Sequence, residues 1–246
     1  MKLSIIFILC IFSFSTTSKE TLRVVTENLP PYQIVKNNKL VAGTSYLIMK
    51  NVLKRAGFTS KIEVLPWARA YHTALNDKNV IIFSITRSVE REHQFHWLGT
   101  LRELKYRFYS LKSKKSIELN SVKEALNYKA VAVRDSFEAD SLVKLGFISG
   151  DNLTLTVGYI EAWNMLLKGR ADITYANVFI GDTIHKTLSF ENTPFLKHGF
   201  TVEEYTLYVA ASINTSNAIL TKITAALNSL KADGTFTKIL SAKEVQ

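Results

Sequence analysis

Short apolar runs of strand length alternate with longer segments whose apolar residues recur every three or four positions, and this alternation restricts the fold more than any other feature. The runs 22–26, 61–65, 80–85, 106–111, 130–133, 153–157, 171–175 and 205–211 read as strands. Segments 45–56, 67–76, 121–126, 136–145, 159–168, 178–185, 218–230 and 235–240 read as helices. Leu47, Ile48, Val52 and Leu53 carry the helical spacing in the first of these, which Thr44 or Ser45 would cap and Gly57 would end. Strand followed by helix, repeated along the chain, predicts α/β layers over largely parallel sheets.

No Gly/Ser-rich linker interrupts the pattern, so any division into lobes must run through ordinary strands. Two polar breaks precede apolar runs, Arg102-Glu103 and Glu203-Glu204. If the chain crosses between lobes at both, residues 103–204 form one lobe inserted into another made of 19–102 and 205–246. At the N-terminus, Lys2 is followed by the apolar residues 3–14 and by Ser15-Thr16-Thr17-Ser18, the layout of a secretory signal peptide over 1–18. That apolar stretch falls short of the roughly 20 residues a spanning helix needs. An exported, periplasmic protein is expected, cleaved near Ser18. Leu9 stands where a small residue would precede a lipid-modified cysteine, so Cys10, the one cysteine of the chain, leaves with the signal. Stability must then come from the core without disulfides, and 47% apolar residues suffice for one.

The formal charge of +10 admits nucleic acid, an anionic membrane surface or acidic ligands as partners. The basic residues are scattered, however, and the densest cluster, Lys112-Ser113-Lys114-Lys115, has no interleaved aromatic platform; no nucleic-acid partner is expected. The chain contains no G-x-S-x-G, P-loop or G-x-G-x-x-G motif. His93 and His96 flank Phe95 without a third ligand at metal spacing, so neither a metal nor a cofactor is expected.

The stretch "FSITRSVEREHQFHW", residues 83–97, is of a different kind. It places Ser84 and Thr86 at a strand end, a helix start near Ser88, and Arg91 within the first turns. Hydroxyls, free backbone N–H groups and an arginine fork are the parts of a carboxylate site, and strand ends are where open α/β sheets take ligands. The competing reading is a plain N-cap at Ser88 with Glu90 and Arg91 solvated. Val133-Arg134-Asp135-Ser136 repeats the device, with the same alternative of a simple cap. Tyr32 and Trp67 each follow a proline at an element boundary and could wall a cleft or fill the core.

These residues, together with "LRVVTENLPPYQ", "LPWARA", "SITRSVER", "AVAVRDSFEA", "LLKGRADITYAN" and "LNSLKADGTFTKIL", resemble the family 3 extracellular solute-binding proteins of polar amino-acid uptake. The likeness extends over essentially the whole mature chain. It implies a type II periplasmic-binding-protein fold: two α/β lobes, two hinge strands, and a ligand enclosed in the interlobe cleft. On this resemblance Ser84 and Thr86 match positions that hold the ligand's carboxylate and ammonium, and Arg91 the arginine that pairs with the carboxylate. Ser136 lies by the second lobe's contribution to that carboxylate, and Glu27 and Tyr32 fall in the turn that touches the ligand side chain. Asn177 stands where amino-acid binders usually carry an aspartate for the α-ammonium. The expected protein is a non-catalytic monomer that captures a small carboxylate-bearing solute, an amino acid or organic acid, for a membrane permease. A dehydratase-like enzyme on the same fold and a stand-alone sensor domain are the alternatives. Arg69, Arg87 and Arg134, at element boundaries, favour an anionic ligand if they face the cleft.

Overall fold

The computed structural model describes residues 21–37, 39–198 and 202–242, so the expected signal segment 1–18 lies outside the described residues. The first half of the chain holds β1 (Arg23–Thr26), β2 (Ile34–Lys36), β3 (Lys39–Ala42), α1 (Thr44–Arg55), β4 (Ile62–Val64), α2 (Trp67–Asn76), β5 (Val80–Thr86) and β6 (Phe95–Leu111). It continues with α3 (Val122–Ala125), β7 (Ala130–Val133), α4 (Phe137–Lys144), β8 (Leu153–Thr156), α5 (Tyr159–Leu167), β9 (Ile173–Asn177) and α6 (Val178–Thr187). The last elements are β10 (Phe195–Lys197), β11 (Glu203–Ser212), α7 (Asn217–Ala232) and α8 (Thr235–Ser241).

Strands pair in the order β4-β1-β5-β11-β6-β9-β7-β8, with β10 added on β6, while β2 and β3 form a separate hairpin. The two wings, β4-β1-β5 and β9-β7-β8, are parallel. The expectation of largely parallel sheets holds only there, because β6 and β11 carry the chain out of one wing and back, and two strands that run out and back must lie antiparallel.

β6 also begins well before the expected 106–111. Arg102 and Glu103 do not precede a strand; they lie within this one, opposite Leu207 and Thr206 of β11. The reason is visible in the burial of Phe95, Leu98, Leu101 and Leu104, one residue in three, which matches neither strand nor helix periodicity. Two register shifts against β11 leave Leu98 and Leu101 without partners, and each such bulge moves the buried face by one residue.

Burial explains the rest. All seven residues of β5 are buried, as suits a strand covered on both faces. In α2, which starts behind Pro66, Trp67, Ala70 and Ala74 face inward at spacings of three and four. The N-cap of α1 is neither Thr44 nor Ser45 but Gly43, at φ 117°. A Cβ there would stand 2.2 Å from the Tyr32 carbonyl oxygen, so only glycine lets the hairpin lie this close to the turn.

Candidate functional site

The ends of β1, β5, β7 and β9 converge on a narrow cleft with a cavity volume of about 40 Å³, bounded by Glu27, Trp67, Ser84, Thr86 and Arg91 on one side and by Ser136, Glu138 and Asn177 on the other. Seven of the eight residues singled out in the sequence line it. Tyr32 does not: it is fully buried, stacked on Phe179, and its hydroxyl donates to Asn177 Oδ1 at 3.0 Å from beneath.

Ser84 reaches the cleft through a bulge. Ile85 pairs with Tyr208 and Phe83 with Val209, which leaves Ser84 unpaired at φ 60°. A left-handed serine stores about 1 to 3 kcal/mol of strain, and bulges re-aim side chains at functional sites. Its Oγ accepts from Gln33 Nε2 at 2.5 Å, and the same amide also reaches Thr26 Oγ1 at 3.0 Å. Thr86 lies 3.4 Å from the Tyr106 hydroxyl.

Arg91 sits at the end of a three-residue 3-10 turn, Val89–Arg91, and not in the helix expected from Ser88. A turn that short has no helix dipole to offer an anion, so the guanidinium carries that capacity by itself. It is 2% exposed. Nη2 donates to the Asp135 carbonyl at 3.1 Å and to Asp140 Oδ2 at 2.8 Å, whereas Nη1 is buried with no hydrogen-bond partner among the described residues. Tyr71 lies flat beneath, its ring centroid 4.8 Å from the guanidinium carbon.

From the second wing, Ser136 caps α4 by accepting from Ala139 N at 3.1 Å, so its cap reading holds and its side chain still borders the cleft. Asn177 likewise caps α6 through Oδ1, from Ile180 N at 3.0 Å. Trp67 Nε1 donates to the Asp135 carbonyl at 2.7 Å, His72 contacts Asp135 Oδ2 at 3.1 Å, and Lys144 pairs with Glu90. One edge of the cleft is thus closed by contacts the chain makes with itself. Burial pushes the Asp140 carboxyl up despite Arg91, while Lys144 holds Glu90 down at about 2.

None of Arg69, Arg87 and Arg134 borders the cleft. Arg69 and Arg134 are exposed, and Arg87 forks onto Glu92 between the rings of Trp97 and Tyr208. The charge of the cleft runs the other way. Burial drives the carboxyls of Glu27 and Glu138 up from their ordinary range, and Glu138 adds to the rise of Glu27. Glu138 was not singled out in the sequence, nor were Tyr106, Tyr159, Trp163 and Tyr175, which also line the cleft. The signal for two of them was present: Tyr159 and Trp163 stand four apart on a helix that follows a strand end. Among the described residues, no group of three or more His, Cys, Asp or Glu side chains could hold a metal ion, and no helix is long and apolar enough to cross a membrane.

A sequence profile of bacterial extracellular solute-binding proteins, family 3, matches residues 22–242. No curated protein matches the chain by sequence. Among solved structures, a histidine kinase sensor domain with similarity to periplasmic binding proteins aligns at a TM-score of 0.79 and 17% identity, over 91% of this chain and 96% of that one. The arginine-, lysine-, histidine-binding protein ArtJ of Geobacillus stearothermophilus aligns at 0.79 and 16% identity, over 92% and 97%. An ancestral arginine-binding protein bound to glutamine aligns at 0.76 and 21% identity, over 89% and 95%. The fold is therefore the two-lobed α/β fold of periplasmic binding proteins.

Proposed function

Because the chain belongs to the bacterial extracellular solute-binding proteins, family 3, we propose that it is a non-catalytic periplasmic receptor that encloses a small carboxylate-bearing solute and presents it to a membrane transporter. The single observation that carries this reading is Arg91, a buried guanidinium on the cleft wall whose Nη1 has no hydrogen-bond partner among the described residues. A buried donor left unpaired is costly, and a ligand carboxylate would supply the missing acceptor. Ser84 and Thr86 border the same space and would hold the ligand's polar atoms, with Ser136 facing them across the cleft. We place the lobes at 19–102 with 205–246 and at 103–204, with β6 and β11 as the strands that flex, on the strength of the antiparallel crossing and its bulges.

A sensor role is the second reading, favoured by the likeness to a kinase sensor domain and by the self-made contacts across the cleft edge. A dehydratase-like activity would need an acid in the cleft, and Glu138, protonated above the ordinary carboxylate range, would serve. The test is a thermal-shift and native mass-spectrometry screen over amino acids, short peptides and organic acids. A carboxylate solute that binds and is recovered unchanged supports the receptor. Turnover of the bound acid decides for the enzyme, and no binding by any solute overturns the reading.

A further inference from the structure

Helices α1, α7 and α8 carry Lys50, Lys54, Arg55, Lys222, Lys231 and Lys238 and no acidic residue. The chain has 21 Asp and Glu residues, and each of α3, α4, α5 and α6 contains at least one of them. The positive charge of the protein is therefore concentrated on one set of helices, away from the strand ends that form the cleft.

These three helices pack as one layer. α1 turns Ile48, Met49, Val52 and Leu53 inward, and α7 does the same with Ile219, Ile223, Leu227 and Leu230, which leaves the cations outside. Arg55 ties the layer together: it pairs with Asp233, between α7 and α8, at 2.6 Å, and donates to Ser229 Oγ and Thr235 Oγ1. Lys231 is partly buried and donates to Thr100 Oγ1 at 3.0 Å. Lys50, Lys54, Lys222 and Lys238 remain, all exposed and none paired with a carboxylate among the described residues. Lys105, Lys114, Lys144 and Lys197, elsewhere in the chain, each have such a partner. Lys50 Nζ stands 5.9 Å from the ring centroid of Tyr46, and Lys222 Nζ 5.8 Å from that of Phe58. Rings and not carboxylates hold these two ammoniums, so their charge stays available to an external anion.

The composition of the face selects among anionic partners. Specific protein interfaces are built around apolar, aromatic and arginine anchors and are depleted of lysine. None of the large apolar side chains exposed among the described residues lies on α1, α7 or α8. An anionic bilayer asks only for clustered positive charge, each lysine within a Debye length of the surface adding to the attraction. Export, expected from the sequence, puts lipid headgroups within reach of this face. We propose that Lys50, Lys54, Lys222 and Lys238 form a docking surface for membranes rich in anionic phospholipid. None of the four borders the cleft, so attachment to the bilayer and capture of a solute are separate properties of the molecule.

The test is co-sedimentation of residues 19–246 with vesicles of phosphatidylcholine alone and of phosphatidylcholine with about 30% phosphatidylglycerol. Binding is expected only to the anionic vesicles, and it should fall at least about tenfold between about 0.05 M and about 0.5 M NaCl as the Debye length shrinks. The Lys50→Gln/Lys54→Gln/Lys222→Gln/Lys238→Gln variant should lose at least about tenfold in affinity for the anionic vesicles. The Lys112→Gln/Lys115→Gln/Lys123→Gln/Lys168→Gln variant removes the same charge from exposed lysines of the middle segment and should bind as wild type does. Equal losses in the two variants would mean that net charge and not this face attracts the bilayer, and would overturn the proposal. So would equal binding of wild type to both vesicles, no binding to either, or binding to soluble poly-L-glutamate without binding to vesicles. Thermal melts of both variants separate lost binding from lost fold, and should the first variant not fold, the lipid and salt dependence of wild type decides. Arg91→Ala should leave vesicle binding unchanged, so this face and the receptor reading stand or fall separately.

Discussion

Arg91 has one terminal nitrogen on Asp140 and Asp135 and the other without a hydrogen-bond partner among the described residues, which fits a group held ready and not one already used. Removing it deletes one partner of a buried charge pair, so Arg91→Ala is expected to weaken a bound carboxylate solute by about 2 to 5 kcal/mol. Calorimetry checks this, and affinity retained within a factor of a few would remove Arg91 from the site. Ser84 offers a test that needs no ligand. Its φ of 60° burdens any residue with a Cβ, so Ser84→Gly and Ser84→Ala lose the same hydroxyl but only alanine keeps the strain. The glycine variant should be more stable than the alanine variant by about 1 kcal/mol in urea titration; equal stabilities would mean that the bulge relaxes. Serine, threonine and arginine at a strand end were legible as candidate cleft residues because their chemistry is local, and all three line the cleft. Glu138 was not, since a glutamate in the first turn of a helix ordinarily serves the helix dipole in solvent. Its half-buried place on the cleft wall is set by the tertiary fold.

The strand and helix elements were legible wherever one face is buried at a regular period, as in α2, whose bounds coincide with the expected 67–76. They were illegible where bulges reset the period, as along residues 95–104 of β6, and where pieces are too short to show one, as in β2, β3 and β10. The apparent helix start at Ser88 failed for a related reason: cap chemistry was present, but Gln94 and Phe95 lead straight into β6 and leave room for a single turn. At Ser136 the cap and the cleft share one side chain, which permits a test at this scale. Ser136→Ala should cost α4 about 1 kcal/mol of stability through the lost bond to Ala139 N. Ser136→Asn keeps a capping oxygen and should recover that stability. If Ser136 also meets the solute, the asparagine variant will still bind more weakly than wild type. Recovery of both stability and affinity would reduce Ser136 to a cap.

At the scale of the whole molecule, pH should expose the cost of holding two carboxyls on the cleft wall. Glu27 and Glu138 hold their protons to higher pH in the folded chain than in the unfolded one. Between the ordinary glutamate value of 4.5 and the raised folded values, the folded state therefore binds more protons, and its stability falls as pH rises through that window. The groups that face the two carboxyls are Arg91, Asp140 and the phenols of Tyr32, Tyr106, Tyr159 and Tyr175; Arg91 limits the rise at Glu138, and Asp140 adds to it. His198, whose folded value burial pushes down, acts in the opposite sense, its contribution being lost as pH falls from the ordinary histidine value of 6.5 through the lowered folded one. Comparing wild type with the Glu27→Gln/Glu138→Gln double variant removes that background, because both keep His198. The two should melt together in acid, and the double variant should gain on wild type as pH rises. A melting difference that does not change with pH would mean that the two carboxyls reach solvent in the free protein, as they would if the lobes stand apart until a solute draws them together.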